Sequence, residues 1–138
     1  IVYYDDLNAK INDVIKQDKV NNLFILSRNN KDLNQVSVEG IENRKLTVHK
    51  SKGLQSDYVF IIGLNNNKNG FPNKIKDHEI LRLVNNRKEY YPFDEERRLF
   101  YVALTRCKKK VYLFVPTGNE SMFIKELKRY KNVHIRQN

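Results

Sequence analysis

The sequence contains a single cysteine, Cys107, no tryptophan, and only five glycines and three prolines in 138 residues. One cysteine cannot form an intramolecular disulfide or a cysteine-paired zinc site, and such sparse usage predicts a reducing, cytoplasmic environment. The three histidines, His49, His78 and His134, stand far apart and form no metal-binding pair, so no metal site is expected. No apolar run approaches the ~20 residues that span a bilayer. The longest run, residues 58–64, has the length of one strand, so no membrane segment is expected.

The charge balance is strongly basic. Lysine and arginine total 26, aspartate and glutamate total 16, and the formal net charge is +10. An excess of this size is common in proteins that contact phosphate backbones, although a solvated, lysine-rich surface gives the same count. The chain is 40% hydrophobic and its length suits one domain with its own core. It begins with Ile1 and shows no signal peptide, so we expect a piece of a longer protein.

The apolar pattern predicts strands that alternate with helices. Strands are expected at 22–27, 46–49, 57–64, 110–116 and 133–135. Helices are expected at 3–18, 29–35, 77–86, 95–107 and 119–130, with a loop over 65–76. The strands lack polar alternation, which predicts a parallel α/β sheet buried on both faces. In such sheets ligands bind near the carboxyl ends of the strands.

One candidate site is the segment Thr47-Val-His-Lys-Ser-Lys-Gly-Leu54, which leaves a predicted strand and turns. Gly53 permits a sharp turn, and His49, Ser51 and backbone N–H groups are able to donate to phosphate oxygens. Lys50 and Lys52 add positive electrostatic potential to the segment. The segment is not a Walker A loop, because G-x-x-x-x-G-K-[ST] is absent. An ordinary strand-to-helix turn explains the same residues.

A second candidate is the segment Asp94 to Arg106, a predicted helix capped by Asp94. Leu99 and Val102 begin an apolar stripe that ends at Arg106. The guanidinium of Arg106 either binds the last carbonyls of the helix or points at a ligand or a partner domain. Cys107 is interpreted as a small buried residue of the same helix, and the neighbouring glutamates as members of surface ion pairs.

Three segments resemble motifs IV, V and VI of UvrD/Rep-like superfamily 1 DNA helicases: Phe24–Asn30, Leu46–Val59 and Glu95–Arg106. The stretch Asp57–Leu64, followed by Gly70-Phe-Pro72, is especially similar to the helicase IV branch. The resemblance covers about residues 22–116, and motifs V and VI in this order are specific to the family.

The resemblance implies a RecA-like α/β fold, with residues 1–138 forming a single C-terminal RecA-like domain, the second motor domain of a helicase. In this family ATP with Mg²⁺ binds between two RecA-like domains. The N-terminal domain supplies the Walker A lysine and the Mg²⁺ ligands, and none of those motifs is present here. The gap between Arg28 and Thr47 is short, which implies that the large 2B insertion of some relatives is missing. The fragment alone is expected to be inactive.

The resemblance also assigns residues to the nucleotide. Arg28 and Arg106 are expected to act as arginine fingers on the γ-phosphate, and Gly53 and Gln55 to lie near the nucleotide. Gln55 stands where the family usually has glutamate. Ser27 stands where some relatives have an aromatic residue that stacks on adenine.

The remaining assignments concern partners. His49, Lys50 and Ser51 are expected near the backbone of single-stranded DNA, with motif V coupling the nucleotide to DNA movement. The implied function is an ATP-dependent DNA helicase or translocase. Two alternatives stay open, namely a helicase-like remodelling factor that binds RNA polymerase, and a non-catalytic nucleic-acid-binding domain.

Overall fold

The computed structural model describes residues 1–75 and 93–137. The strands are β1 (Val2–Tyr4), β2 (Asn22–Ser27), β3 (Glu42–Thr47), β4 (Ser56–Ile61) and β5 (Cys107–Pro116). The α-helices of this part are α1 (Leu7–Gln17), α2 (Asn30–Asn34), α3 (Asp94–Leu104) and α4 (Met122–Leu127), with a short 3₁₀ helix over His49–Ser51. No helix in the described residues is long and apolar enough to cross a membrane.

The five strands form one sheet in the order β1-β5-β4-β2-β3, and every neighbouring pair is parallel. In the middle of the sheet Leu26 is in register with Leu46 on one side and Ile61 on the other, and Ile61 with Leu113. The predicted parallel α/β architecture is confirmed. The carboxyl ends of β2 and β3 therefore meet at one edge of the sheet, which places the end of β2 beside the turn that follows β3.

Both faces of the sheet are buried, which explains why the strand sequences are continuously apolar. Successive residues of β2 point to opposite faces: Leu23 and Ile25 join the core under α1 and α2, while Phe24 and Leu26 join the core under α3 and α4. Helix α3 contributes Leu99, Phe100 and Ala103 to the second core, and α4 contributes Phe123 and Ile124.

The first helix is shorter than predicted, because residues 2–4 form a strand instead. Val2, Tyr3 and Tyr4 pair with Phe114, Val115 and Pro116 of β5. The helix begins at Leu7, where the Asp6 side chain accepts a hydrogen bond from the Ala9 amide and caps the first turn.

The helix over the second candidate segment was also predicted with wrong ends. Its N-cap is Phe93, which adopts a left-handed conformation with φ 61°, and Asp94 is the first helical residue. It ends at Leu104, and Cys107 is the first residue of β5 rather than a helical residue. Ser56 and Cys107 are in register, so pairing with β4 overrides the continuing helical pattern.

Two further predictions differ from the structure, and a third cannot be compared with it. Residues 133–135 do not form a strand, although Arg136 makes an isolated parallel bridge with Val2. The strand predicted at 46–49 begins earlier, at Glu42, and ends at Thr47. The helix predicted at 77–86 lies outside the described residues.

Candidate functional site

Arg28 follows the carboxyl end of β2 and makes an ion pair with Glu96 in the first turn of α3. Its Nε donates to both carboxylate oxygens of Glu96, at 3.0 Å to Oε1 and 2.9 Å to Oε2. Both side chains are about 10% exposed. The two terminal guanidinium nitrogens of Arg28 make no hydrogen bond within the described residues. This arrangement fixes the base of the guanidinium and leaves its fork available to an anion.

The turn after β3 is held from inside by Ser51. The Ser51 side chain is fully buried, and its hydroxyl donates to the Val48 carbonyl at 2.6 Å. His49 and Lys50 on the same 3₁₀ helix are exposed. Gly53 has a φ of +81° and open space around its missing Cβ, so the left-handed turn, rather than crowding, requires glycine there.

A cleft of about 300 Å³ separates this 3₁₀ helix from α3. Arg28, His49, Lys52 and Arg98 line it, together with the carboxylates of Glu95 and Glu96. The structure thus brings Arg28 of the first segment and His49 of the second to one surface. Because Arg28 is paired with Glu96 and Arg98 with Asp94, the donors in the cleft that suit an anionic group are the terminal nitrogens of Arg28 and the ammonium of Lys52.

Arg106 lies at the other end of α3. Its Nε donates to the Val102 carbonyl at 3.2 Å, Nη1 to the Leu54 carbonyl at 3.4 Å, and Nη2 to the Thr105 hydroxyl at 3.1 Å. The helix rises ~1.5 Å per residue from Glu96 to its last residue, Leu104, so about 12 Å of helix lies between the Arg28–Glu96 pair and the segment that contains Arg106. The structure therefore does not bring the two predicted arginine fingers together. The interpretation that Arg106 binds the last helical carbonyls agrees with its bond to Val102.

Gly53 and Gln55 lie with Arg106 rather than with Arg28. They flank Leu54, whose carbonyl accepts the hydrogen bond from Arg106, and both are exposed. The predicted site residues accordingly fall into two groups. Arg28, His49 and Lys50 lie towards the carboxyl edge of the sheet, and Gly53, Gln55 and Arg106 lie near the start of β4.

Glu96 was missed by the sequence reasoning, which assigned it to a surface ion pair. The residue as a whole is 7% exposed. Its carboxylate also accepts a hydrogen bond from the Asn73 amide at 2.5 Å. A signal was present, because Glu96 precedes Leu99 and Ala103 at helical spacing and so shares their buried face. A carboxylate on that face requires a cationic or amide partner.

The described residues contain neither a candidate metal site nor an activated thiol. No group of three histidine, cysteine, aspartate or glutamate side chains that could hold a metal occurs there. Burial raises the pKa of the Cys107 thiol, and this favours the unreactive, protonated form.

Comparison with known protein families gives one family model, described as UvrD-like helicase C-terminal domain, which matches residues 41–117. The matched range contains the turn after β3, all of β4, α3 and β5. It therefore includes both candidate segments singled out from the sequence.

Individual relatives agree with the family model. DNA helicase IV of Escherichia coli (strain K12) is 41% identical over 83 residues, which are 60% of this chain and 12% of that protein. A probable DNA helicase II homolog of Mycoplasma capricolum is 41% identical over 90 residues, 64% of this chain and 11% of that protein. The ATP-dependent DNA helicase Rep of Buchnera aphidicola is 38% identical over 68 residues, 49% and 8% of the two chains. This chain thus spans about a tenth of the length of the relatives it matches.

Proposed function

The chain belongs to the family of UvrD-like helicase C-terminal domains, and from this we propose that it is the C-terminal, RecA-like motor domain of an ATP-dependent DNA helicase or translocase. The observation that carries the proposal is the cleft between the turn after β3 and α3, which brings Arg28 and His49 to one surface. The residues that the family model matches include both walls of this cleft, the 3₁₀ helix and α3. Residues 1–138 act as one domain, and only residues 28–41 separate β2 from β3, which leaves no room for a large inserted domain.

Each of the two predicted finger arginines is able to bind a phosphate oxygen of ATP, which supplies the free energy of phosphoryl transfer when it is bound, but in this domain the two lie at opposite ends of α3. Arg28 offers two terminal nitrogens without partners among the described residues, and Glu96 holds its Nε. To bind ATP, Arg106 would exchange its present hydrogen bonds, of which the 3.4 Å bond to the Leu54 carbonyl is longer than the usual range. Mg²⁺ ligands and the Walker A lysine would come from the N-terminal RecA-like domain of the same protein, the first partner of this surface.

Single-stranded DNA is the second partner that we propose. His49 and Lys50 are exposed beside the carboxyl edge of the sheet, where they would contact phosphates of the strand. The buried Ser51 hydroxyl would act indirectly, by holding the turn that presents His49 and Lys50. Gly53 and Gln55 continue the same turn towards Arg106, so one segment would connect the DNA contact to the nucleotide.

The test is ATP hydrolysis by the full-length parent protein, with and without single-stranded DNA, beside Arg28→Ala and Arg106→Ala variants. We expect DNA to stimulate hydrolysis and each variant to lose most of the stimulated rate. Arginine fingers in other nucleotide hydrolases contribute factors of ~10³–10⁵. Thermal unfolding of each variant checks that the protein remains folded.

Different outcomes reject different parts of the proposal. Normal ATP hydrolysis by Arg106→Ala would show that this arginine is a structural helix cap. Normal ATP hydrolysis by Arg28→Ala would reject the role of Arg28 as an arginine finger. An ATP hydrolysis rate that single-stranded DNA does not change would favour a protein partner such as RNA polymerase. No observation in the described residues favours the RNA polymerase alternative, which stays a hypothesis.

A further inference from the structure

A second surface depression, a groove of about 490 Å³, lies between α3 and α4. It shares no lining residue with the cleft that contains Arg28. Its floor is apolar, because Phe100 and Leu104 of α3 lie beside Phe123 and Leu127 of α4. The rings of Phe100 and Phe123 stack with 5.2 Å between their centroids. The proposed contacts to nucleotide and DNA use none of these four side chains.

Two tyrosines stand at the open sides of this groove. Tyr101 on α3 is 68% exposed, and Tyr130, just after α4, is 66% exposed. They are the two most exposed of the large hydrophobic side chains that the structure describes. Single exposed apolar side chains are common, but two rings beside an apolar floor form a continuous patch, which is typical of an interaction site. Tyrosine is also among the residues that contribute most to protein interfaces.

The charge that the groove offers to a partner is positive. Glu126 supplies the carboxylate among the lining residues, and both of its oxygens accept hydrogen bonds from Arg97. Arg129 also lines the groove, and Lys131 follows Tyr130 along the chain. Both are exposed, and neither makes an ion pair within residues 1–75 and 93–137. Carboxylates of a partner would therefore meet unpaired cations at the rim, whereas a basic partner would be repelled.

The shape of the groove suits a helix. Its α3 wall runs from Arg97 to Leu104, which is about 10 Å at ~1.5 Å per residue and matches two turns of a partner helix. An amphipathic helix enters such a groove with apolar side chains at positions i, i+3, i+4 and i+7. Nucleic acid fits less well, because bases stack on exposed rings and phosphates pair with cations, and neither fills a floor of leucine and phenylalanine.

We propose that the groove between α3 and α4 binds an acidic amphipathic helix of a partner protein. Tyr101 and Tyr130 pack against its apolar side chains, and Arg129 pairs with its carboxylates. A contact of two helical turns is small, so the association is weak and transient. The inference goes beyond the proposed function and does not depend on it, because neither Arg28 nor Arg106 lines the groove.

Fluorescence anisotropy with the full-length parent protein tests the proposal. The probe is a fluorescein-labelled helical peptide of about 18 residues, five turns, with leucine and phenylalanine at i, i+3, i+4 and i+7 and glutamate on the other face. A second peptide carries lysine in place of every glutamate. The protein variants are Tyr101→Ala, Tyr130→Ala and Arg129→Glu. Ile135→Ala is the matched control, because Ile135 is an exposed apolar residue outside the groove.

We expect the glutamate peptide to bind at least about tenfold more tightly than the lysine peptide. Tyr101→Ala and Tyr130→Ala should each weaken binding of the glutamate peptide by about tenfold, as the loss of an aromatic side chain at the centre of an interface does. Arg129→Glu should weaken binding and reduce its dependence on salt. Ile135→Ala should leave the Kd unchanged. DNA-stimulated ATP hydrolysis should stay unchanged in every variant, because the groove lies apart from the proposed nucleotide and DNA contacts.

Several results would overturn the proposal. Absence of saturable binding, equal affinities for the two peptides, or an affinity that both tyrosine variants leave unchanged would each do so. If an unstructured oligonucleotide displaces the peptide and the tyrosine variants bind that oligonucleotide less tightly, the groove is a DNA contact instead. If the tyrosine variants remain folded in thermal unfolding but lose ATP hydrolysis, the groove holds another part of the parent protein.

Discussion

At the scale of single residues, Asp18 makes several polar contacts outside the cleft. It caps the carboxyl end of α1, accepts hydrogen bonds from the Tyr112 hydroxyl and from Arg136 Nη2, and lies 3.7 Å from the Lys110 ammonium. Partial burial alone would raise the pKa of Asp18, but the hydrogen bonds from Arg136 and Tyr112 outweigh it and hold the pKa below the usual 3.8. Asp18 thereby fastens the C-terminal segment to α1 and β5.

A lowered carboxylate pKa sets the sign of a pH dependence. The folded protein binds the proton of Asp18 more weakly than the unfolded chain does, so falling pH favours unfolding. The contribution is complete above pH 3.8 and is lost as the pH falls through the lowered value. We expect Asp18→Asn to be less stable near neutral pH and to show a flatter loss of unfolding free energy below about pH 4.

Urea unfolding at a series of pH values measures this effect. Asp13→Asn is the control, because Asp13 is exposed on the same helix and makes no ion pair within the described residues. Identical acid profiles for Asp18→Asn and the unchanged protein would contradict the expectation.

At the level of helices and strands, local sequence predicted the elements that carry their own signal. Strand β2 was predicted with its observed bounds, since Leu23 to Leu26 are apolar and buried on both faces. Strand β1 was missed because three residues carry no periodicity, and their partners in β5 lie more than a hundred residues away. The start of β5 was missed because Cys107 to Lys110 is a polar sequence that becomes a strand only by pairing with β4.

The features of the candidate site likewise divide into those that the sequence predicted and those that it did not. The family resemblance identified Arg28, His49 and Arg106 as residues to examine, and the parallel sheet explains why Arg28 and His49 share a cleft. The separation of Arg28 from Arg106 depends on the course of α3 across the sheet, which sequence spacing does not contain. The Glu96–Arg28 pair joins residues 68 positions apart, so only the tertiary fold shows it.

The loop that follows β4 is anchored by Phe71. This side chain is fully buried and packs edge-on against Phe100 of α3 at 5.4 Å and Phe123 of α4 at 6.0 Å between ring centroids. Its carbonyl accepts a hydrogen bond from the buried Ser121 hydroxyl, directly before α4. One residue of the loop thus joins two helices.

We expect Phe71→Ala to lower the free energy of unfolding by about 3–5 kcal/mol, the usual loss for a buried phenylalanine that leaves a cavity. Glu126→Gln provides the comparison, because its ion pair with Arg97 also joins α3 to α4 but its side chains are 36% and 40% exposed. That change should cost less than about 1 kcal/mol, as exposed ion pairs do. Denaturant unfolding measures both, and a larger loss in Glu126→Gln would show that charge rather than packing joins the helices.

For the whole molecule, the net charge of +10 and the proposed DNA contact lead to a prediction about salt. Binding to a single strand releases condensed counterions, and log K falls against log salt concentration with a slope of about −0.7 per phosphate contacted. If Lys50 contacts one phosphate, Lys50→Ala should weaken binding of the parent protein to an unstructured oligonucleotide and reduce the slope by about 0.7. Lys16→Ala removes the same charge from α1, which covers the opposite face of the sheet, and should leave the slope unchanged. Equal slope changes in the two variants, measured by fluorescence anisotropy at several salt concentrations, would assign the effect to overall charge rather than to the turn after β3.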